Sequence, residues 1–335
     1  MKYGRREVKK MKLTKIMAMA LAGAMATAAL TGCGTTSTTK GDKVYNIGLC
    51  QLVQHDALDA ATKGFQDVLT EKLGDKVTFD LQNASGDSAT CATIVNQFVA
   101  SNVDLIFANA TPALQAAVTT TPTIPIVGTS ITDYATALDI ADWTGKTGMN
   151  VTGTSDLAPL ADQAAMFKEL LPNAKKIGLL YCSGEANSKY QVDIVATELT
   201  KLGYECKEYS FSDSNDVAAV TTSACNEMDA LYIPTDNTAA SNTPLIDSIA
   251  APKNIPIIAG EEGICKGCGI ATLSISYDSI GRVAGEMAYD ILVNGADPAE
   301  MEIRFADALT KKVMADRASA LGIEVPADYV VIEAE

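Results

Sequence analysis

From Tyr45 onward, continuous apolar runs of five to eight residues alternate with longer stretches of helical period. YNIGLCQL is followed by ALDAATKGFQDVLTEKLG, KVTFDLQ by ATCATIVNQFVASNV, and DLIFANA by PALQAAVTT before IPIVGTS. An uninterrupted apolar strand is buried on both faces, and an amphipathic helix between two such strands provides the crossover that parallel pairing requires. The expected fold class is therefore α/β, built on doubly wound parallel sheets.

The series then repeats as AKKIGLLYC, KYQVDIVATELTKLG, YECKEYSFS, VAAVTTSACNEM, DALYIPT, PLIDSIAAPKN and IPIIAGE. IGL recurs at 47 and 177, DLIF at 104 answers DALYI at 229, and IPIV at 124 answers IPII at 255. Nearly constant offsets imply two copies of one lobe, with a join near Gly148–Gly153. A further helix, SISYDSIGRVAGEMAYDILVNG, and a short strand, YVVIEAE, remain. Returning the helix to the first copy and the tail to the second places residues 43–149 and 275–300 in lobe 1, and 150–274 and 301–335 in lobe 2. Three chain crossings then form a hinge.

Ahead of the lobes, residues 1–15 carry seven Lys or Arg, followed by the 15-residue apolar run IMAMALAGAMATAAL and then LTGC. A span needs about 20 apolar residues, so residues 1–32 predict a cleaved export signal. Cys33 after Leu-Thr-Gly resembles the lipobox of bacterial lipoproteins. That resemblance implies a diacylglyceryl thioether on Cys33, holding the protein to the outer face of the cytoplasmic membrane, or on the periplasmic side if there are two membranes. Residues 33–42 are polar and aperiodic, as in a flexible tether. Without residues 1–32 the chain has 19 basic and 40 acidic residues. A surface that acidic repels nucleic acid and anionic headgroups, and neither is expected as a partner. A monomer is expected.

Seven cysteines besides Cys33 cannot all pair internally, so at least one is free. Cys265-Lys266-Gly267-Cys268 is expected in a Gly-rich loop, as a local disulfide or two idle thiols, because a redox pair should open a helix. A zinc site would need a second Cys or His pair, and no metal is expected. There is no GxSxG, Walker loop or dinucleotide fingerprint, and the chain has a single histidine. Neither enzymatic chemistry nor a cofactor is expected.

Ligands of doubly wound sheets lie beyond the carboxyl ends of the strands. In the first copy those ends carry Gln51, His55, Thr111 and Asp133. In the second they carry Glu185, Asn187, Ser188, Asp236 and Asn237. Helix capping alone explains many of these residue types. EANS and TDN nevertheless offer more hydrogen-bonding groups than capping uses, and two such rims facing across a hinge would enclose a cleft.

The stretches QHDALDAATKGFQDVL, DLIFANATPALQAA, IPIVGTSITDY, NVTGTSD, LLYCSGEANS, YIPTDNT and SYDSIGRVAGEMA together resemble ABC-transporter substrate-binding lipoproteins associated with uptake of aromatic amino acids. Where that family usually carries Asp-Pro, this chain has Asp133-Tyr134. The resemblance implies a type I periplasmic-binding-protein fold, a small zwitterionic ligand and an ABC permease as partner. For such a ligand, Thr111 and Asn187-Ser188 are expected to face the carboxylate, and Glu185, Asp236 and Asp133 the ammonium. The side chain is expected near His55, with Gln51 and Asn237 at its edge.

Overall fold

The computed structural model describes residues 43–306 and 308–333. The expected signal, the tether and the Cys33 lipid site lie outside them. In the first lobe β1 (Tyr45–Gln51), α1 (Asp56–Leu73), β2 (Val77–Asn83), α2 (Ser88–Ala100), β3 (Leu105–Asn109), α3 (Thr111–Thr120), β4 (Ile126–Ile131), α4 (Tyr134–Ala137) and β5 (Val151–Ser155) follow in turn. The second lobe contains α5 (Leu160–Leu170), β6 (Lys176–Cys182), α6 (Ala186–Lys201), β7 (Glu205–Phe211), α7 (Val217–Glu227), β8 (Ala230–Ile233), α8 (Asn237–Ala240), α9 (Thr243–Ala250), β9 (Ile257–Ala259), α10 (Glu262–Cys268) and β10 (Ala271–Ser274). The chain then returns to the first lobe as α11 (Tyr277–Tyr289) and β11 (Arg304–Phe305), and ends in the second as β12 (Thr310–Val313), α12 (Ala315–Ala320) and β13 (Val330–Val331).

Strand order is β2-β1-β3-β4-β5-β11 in the first sheet and β7-β6-β8-β9-β10-β12-β13 in the second, so the two lobes share one winding. Pairing is parallel throughout except between β10 and β12. β3 and β4 are buried along their whole length, as the apolar runs require. Phe65 of α1 stacks on Phe107 of β3 at 4.0 Å between ring centroids. Burying such side chains contributes about 1.5–3 kcal/mol each. Among the described residues no helix is long and apolar enough to cross a membrane.

Two of the three expected lobe boundaries, after residue 149 and after residue 300, fall too early. Val151–Ser155 pairs with β4 inside the first sheet, and Arg304–Phe305 pairs with Thr154 and Ser155. Three polar residues in VTGTS concealed a central strand. Their cost is met in place: the Thr129 and Thr154 hydroxyls lie 2.8 Å apart, and Thr154 Oγ1 donates to Ile280 O. The chain changes lobe after Ser155, after Ser274 and after Phe305.

One helix pair sets the position of the first rim. A Cβ on Gly281 of α11 would lie 2.1 Å from Ala61 O, and one on Gly64 of α1 would lie 2.4 Å from Asp278 O. The two backbones therefore touch, and only glycine permits that spacing. α11 fixes α1, and α1 carries His55 at its N-terminal end.

Candidate functional site

Two chambers lie between the lobes beyond the strand tips. The inner chamber has a volume of about 10 Å³, the room of one water-sized group, and His55, Ser130, Asp156, Asn187, Asp236 and Tyr277 are among its walls. The outer chamber, of about 300 Å³, is bounded by Ser85, Ser88 and Pro112 of the first lobe and by Glu185, Asp213 and Ser241 of the second. Asn237 is a wall of both. Ligand pockets run from about 300 Å³ upward, so only the outer chamber approaches the size of a ligand body. The lobes meet directly at this level. His55 Nε2 lies 3.3 Å from Asn237 Oδ1, and Gln191 Nε2 lies 3.4 Å from Thr132 Oγ1.

The second rim is a set of buried carboxylates directed at its own backbone. Asp236 caps α8: Oδ1 accepts from Ala239 N at 2.7 Å and Oδ2 from Cys182 N at 2.6 Å. Glu185, at the start of α6, accepts from Asn237 N (3.0 Å), Asn237 Nδ2 (2.6 Å) and Asn187 Nδ2 (3.2 Å) on Oε2. Its Oε1 accepts from Thr238 N (2.9 Å) and Thr238 Oγ1 (2.8 Å). Glu261 caps α10 through Gly263 N and Ile264 N. Burial, with Glu185 beside it, pushes the Asp236 carboxyl well up, and burial pushes Glu261 up to about 7. These acids are held by donated N–H groups, whose dipoles replace water around the charge.

The first rim and the hinge, together with Asn187 of the second rim, leave polar atoms unpaired. Among the described residues, eight buried side-chain nitrogen or oxygen atoms have no hydrogen-bond partner. Four of them, His55 Nδ1, Ser130 Oγ, Asp156 Oδ1 and Asn187 Oδ1, belong to walls of the inner chamber. Each such atom costs about 1–3 kcal/mol, so their convergence on one chamber points to a ligand that completes them. Ser130 also sits at φ 55°, where β4 shifts register against β5. Left-handed backbone in a serine stores strain, and such strain clusters at functional sites. Asp156, at the first crossing, accepts from Tyr277 OH at 3.0 Å on Oδ2, which ties it to the second crossing. Burial pushes its carboxyl up to about 6, opposed by Tyr277 and Thr132. Burial likewise holds the His55 imidazole below its usual range. Among the described residues, neither chamber has a Lys or Arg in its wall.

The expected site residues separate accordingly. His55, Asn187, Asp236 and Asn237 reach the inner chamber and Glu185 the outer. Ser188 is fully buried beneath Asn187, with its hydroxyl on that amide. Gln51, Thr111 and Asp133 are walls of neither chamber. Gln51 is bound to Val53 O, Asp59 and Thr62, and Asp133 caps α4 at Thr136 N. Both oxygens of Glu185 and of Asp236 are filled from their own lobe, which leaves Asp156 as the carboxylate with an open oxygen in the inner chamber. Ser130, Asp156 and Tyr277 were not expected. Ser130 is named by an unusual φ that only coordinates reveal, and Asp156 follows the overlooked strand β5. The CxxC lies in helix α10 and not in a loop, because Glu261 caps that segment. The seven described cysteines are free, and burial pushes the Cys265 and Cys268 thiols up, against thiolate chemistry.

The family model "ABC transporter substrate binding protein" matches residues 46–335. The chain belongs to that family. Its fold is that of the type I periplasmic binding proteins, two parallel-sheet lobes about a hinge. The family consists of binding proteins that work with an ABC transporter, which implies binding and not catalysis for this receptor. It is 39% identical, over 84% of its length and 85% of the relative's, to a protein of Clostridioides difficile named tyrosine-binding protein. A Streptococcus pneumoniae ABC domain in complex with L-Trp is 33% identical over 87% of this chain and 100% of that one, with a TM-score of 0.82. A Clostridium difficile substrate-binding protein with adhesive properties, in its ligand-free, open form, is 36% identical over the same shares, with a TM-score of 0.65. The receptor thus superposes better on the complex than on the more identical open protein.

Proposed function

We propose that the protein is an exported, lipid-anchored receptor that captures an aromatic amino acid, tyrosine or tryptophan, between its lobes and presents it to an ABC importer. Four unpaired polar atoms on one interlobe chamber whose walls include no described Lys or Arg carry this reading. In its support, one relative is named for tyrosine and another was solved with L-Trp. Asp156, buried without a cation, supplies the countercharge for the ligand's ammonium. The inner chamber is the size of that group, and the amino-acid body extends past His55 and Asn237 into the outer chamber. Binding then selects the closed form, because only there do both rims touch the ligand. A permease that recognises the closed pair of lobes receives the ligand, while a thioether lipid on Cys33 keeps the receptor at the membrane.

Protein purified from its host without added ligand and then denatured should release tyrosine or tryptophan, identified by mass spectrometry. Calorimetry on the stripped protein should return binding of the same compound. Release of a sugar or nucleoside, with no response to aromatic amino acids, refutes the assignment. A mature N-terminus without lipid mass on Cys33 refutes the anchor alone.

A further inference from the structure

We infer that Glu185 fixes the hydrogen-bonding polarity of the inner chamber through the two amides it holds, so that His55 is a specificity-determining acceptor for a primary ammonium group. The inference rests on the proposed function and names how the ligand's amino group is recognised. A carboxylate has only acceptors to offer. The end of the Asn237 amide 2.6 Å from Glu185 Oε2 must therefore be its NH2, since two oxygens at that distance repel. The same holds for Asn187, whose nitrogen faces Glu185 Oε2 and Thr235 O at 3.2 and 3.0 Å. With both amides oriented, Asn237 presents Oδ1 to His55 Nε2 at 3.3 Å, and Nε2 must carry the proton.

A neutral imidazole with hydrogen on Nε2 has a bare lone pair on Nδ1. The ring is kept neutral by burial, the largest influence on it, against the opposing fields of Glu185, Asp59 and Asp56. His55 Nδ1 is thus an acceptor, and so are Asn187 Oδ1 and Asp156 Oδ1, all three unpartnered. Ser130 Oγ, the fourth, adapts to either role. Three acceptors of fixed polarity, one of them in a carboxylate, match the three N–H donors of an ammonium. A hydroxyl brings one donor and no charge, and a keto group brings none. Glu185, one of three carboxylates the sequence nominates for direct contact with the ammonium, acts as a positioning residue one bond removed.

His55 is the one histidine of the chain, so its imidazole nitrogens can be observed alone in untagged, 15N-labelled protein. Ligand-free protein at neutral pH should show hydrogen on Nε2 and none on Nδ1, and saturation with L-tyrosine should shift Nδ1. Hydrogen on Nδ1 in the ligand-free protein overturns the inference. In calorimetry, the analogue of L-tyrosine with hydroxyl in place of the amino group should bind at least about a hundredfold more weakly, because it leaves buried acceptors unmet. Equal affinity also overturns it. His55→Gln keeps a donor for Asn237 but places nothing at the δ position, whereas His55→Asn keeps an acceptor there. The first should lose about tenfold in affinity and the second less. Equal losses show that His55 acts by shape alone and refute the polarity claim. If no aromatic amino acid binds, the functional reading fails, while the tautomer spectrum still decides the Glu185–Asn237–His55 relay.

Discussion

The two rims are wound alike and held differently. In the second lobe Glu185, Asp236 and Glu261 are turned onto backbone N–H groups of α8, α10 and β6, and their hydrogen bonding is largely complete without a ligand. In the first lobe His55 stands at the end of α1 with no side-chain cap on that helix, and Ser130 strains at the end of β4. Both are placed by packing of α1 on α11 and by the register shift between β4 and β5. One rim is thus a preformed polar surface in all but Asn187 Oδ1, and the other, with the hinge residue Asp156, keeps most of the groups that a ligand must complete. A carboxylate near a binding site can therefore serve the fold or the ligand, and its hydrogen-bond partners tell which.

That contrast predicts where damage appears. Glu185→Ala strips the acceptor from two backbone N–H groups and two side-chain amides, and should lower stability by about 3–5 kcal/mol in urea titration. A loss below about 1 kcal/mol would remove the second rim from the class of preformed surfaces. Asp156→Asn should do the reverse. The ligand-free protein should melt no lower than the parent, because a costly buried acid is gone, while affinity for the amino acid falls about a hundredfold. If instead melting collapses and affinity holds, the hinge acid belongs with the structural ones.

Gly281→Ala places a methyl against the Ala61 carbonyl and should cost about 1–3 kcal/mol, with weaker ligand binding because α1 carries His55. Unchanged melting would show that the helix pair yields easily. The smallest effect is that of pH. Asp156 rises from its ordinary 3.8 to about 6 on burial, so the folded ligand-free protein holds that proton more tightly than the unfolded chain does. Its contribution to stability is most favourable below the ordinary value and is lost as pH rises through about 6. Ligand ammonium requires the ionised form, so affinity should fall roughly tenfold between pH 7 and pH 5 in calorimetry, with proton release on binding in that range. Affinity independent of pH would show that Asp156 does not meet the ammonium.

The α/β class and the doubled winding were legible because apolar runs such as DLIFANA and IPIIAGE alternate with amphipathic helical stretches, as strands buried on both faces of a covered parallel sheet do. Strand VTGTS was not, since its hydroxyls are satisfied only by partners distant in sequence. His55, Asn187, Asp236 and Asn237 could be placed at strand tips from position alone, yet Gln51, Thr111 and Asp133 occupy equivalent tips and are walls of neither chamber.

The sequence by itself determined the layered architecture, the repetition of the lobe and the acidity of the rims, because these follow from local periodicity and composition. Which carboxylate is spent on backbone and which keeps an open oxygen was decided only when the chain folded. Hydrogen-bond partners such as Glu185 with Thr238, or Asp156 with Tyr277, come from residues far apart along the chain, and competition among donors for a buried oxygen has no local signature.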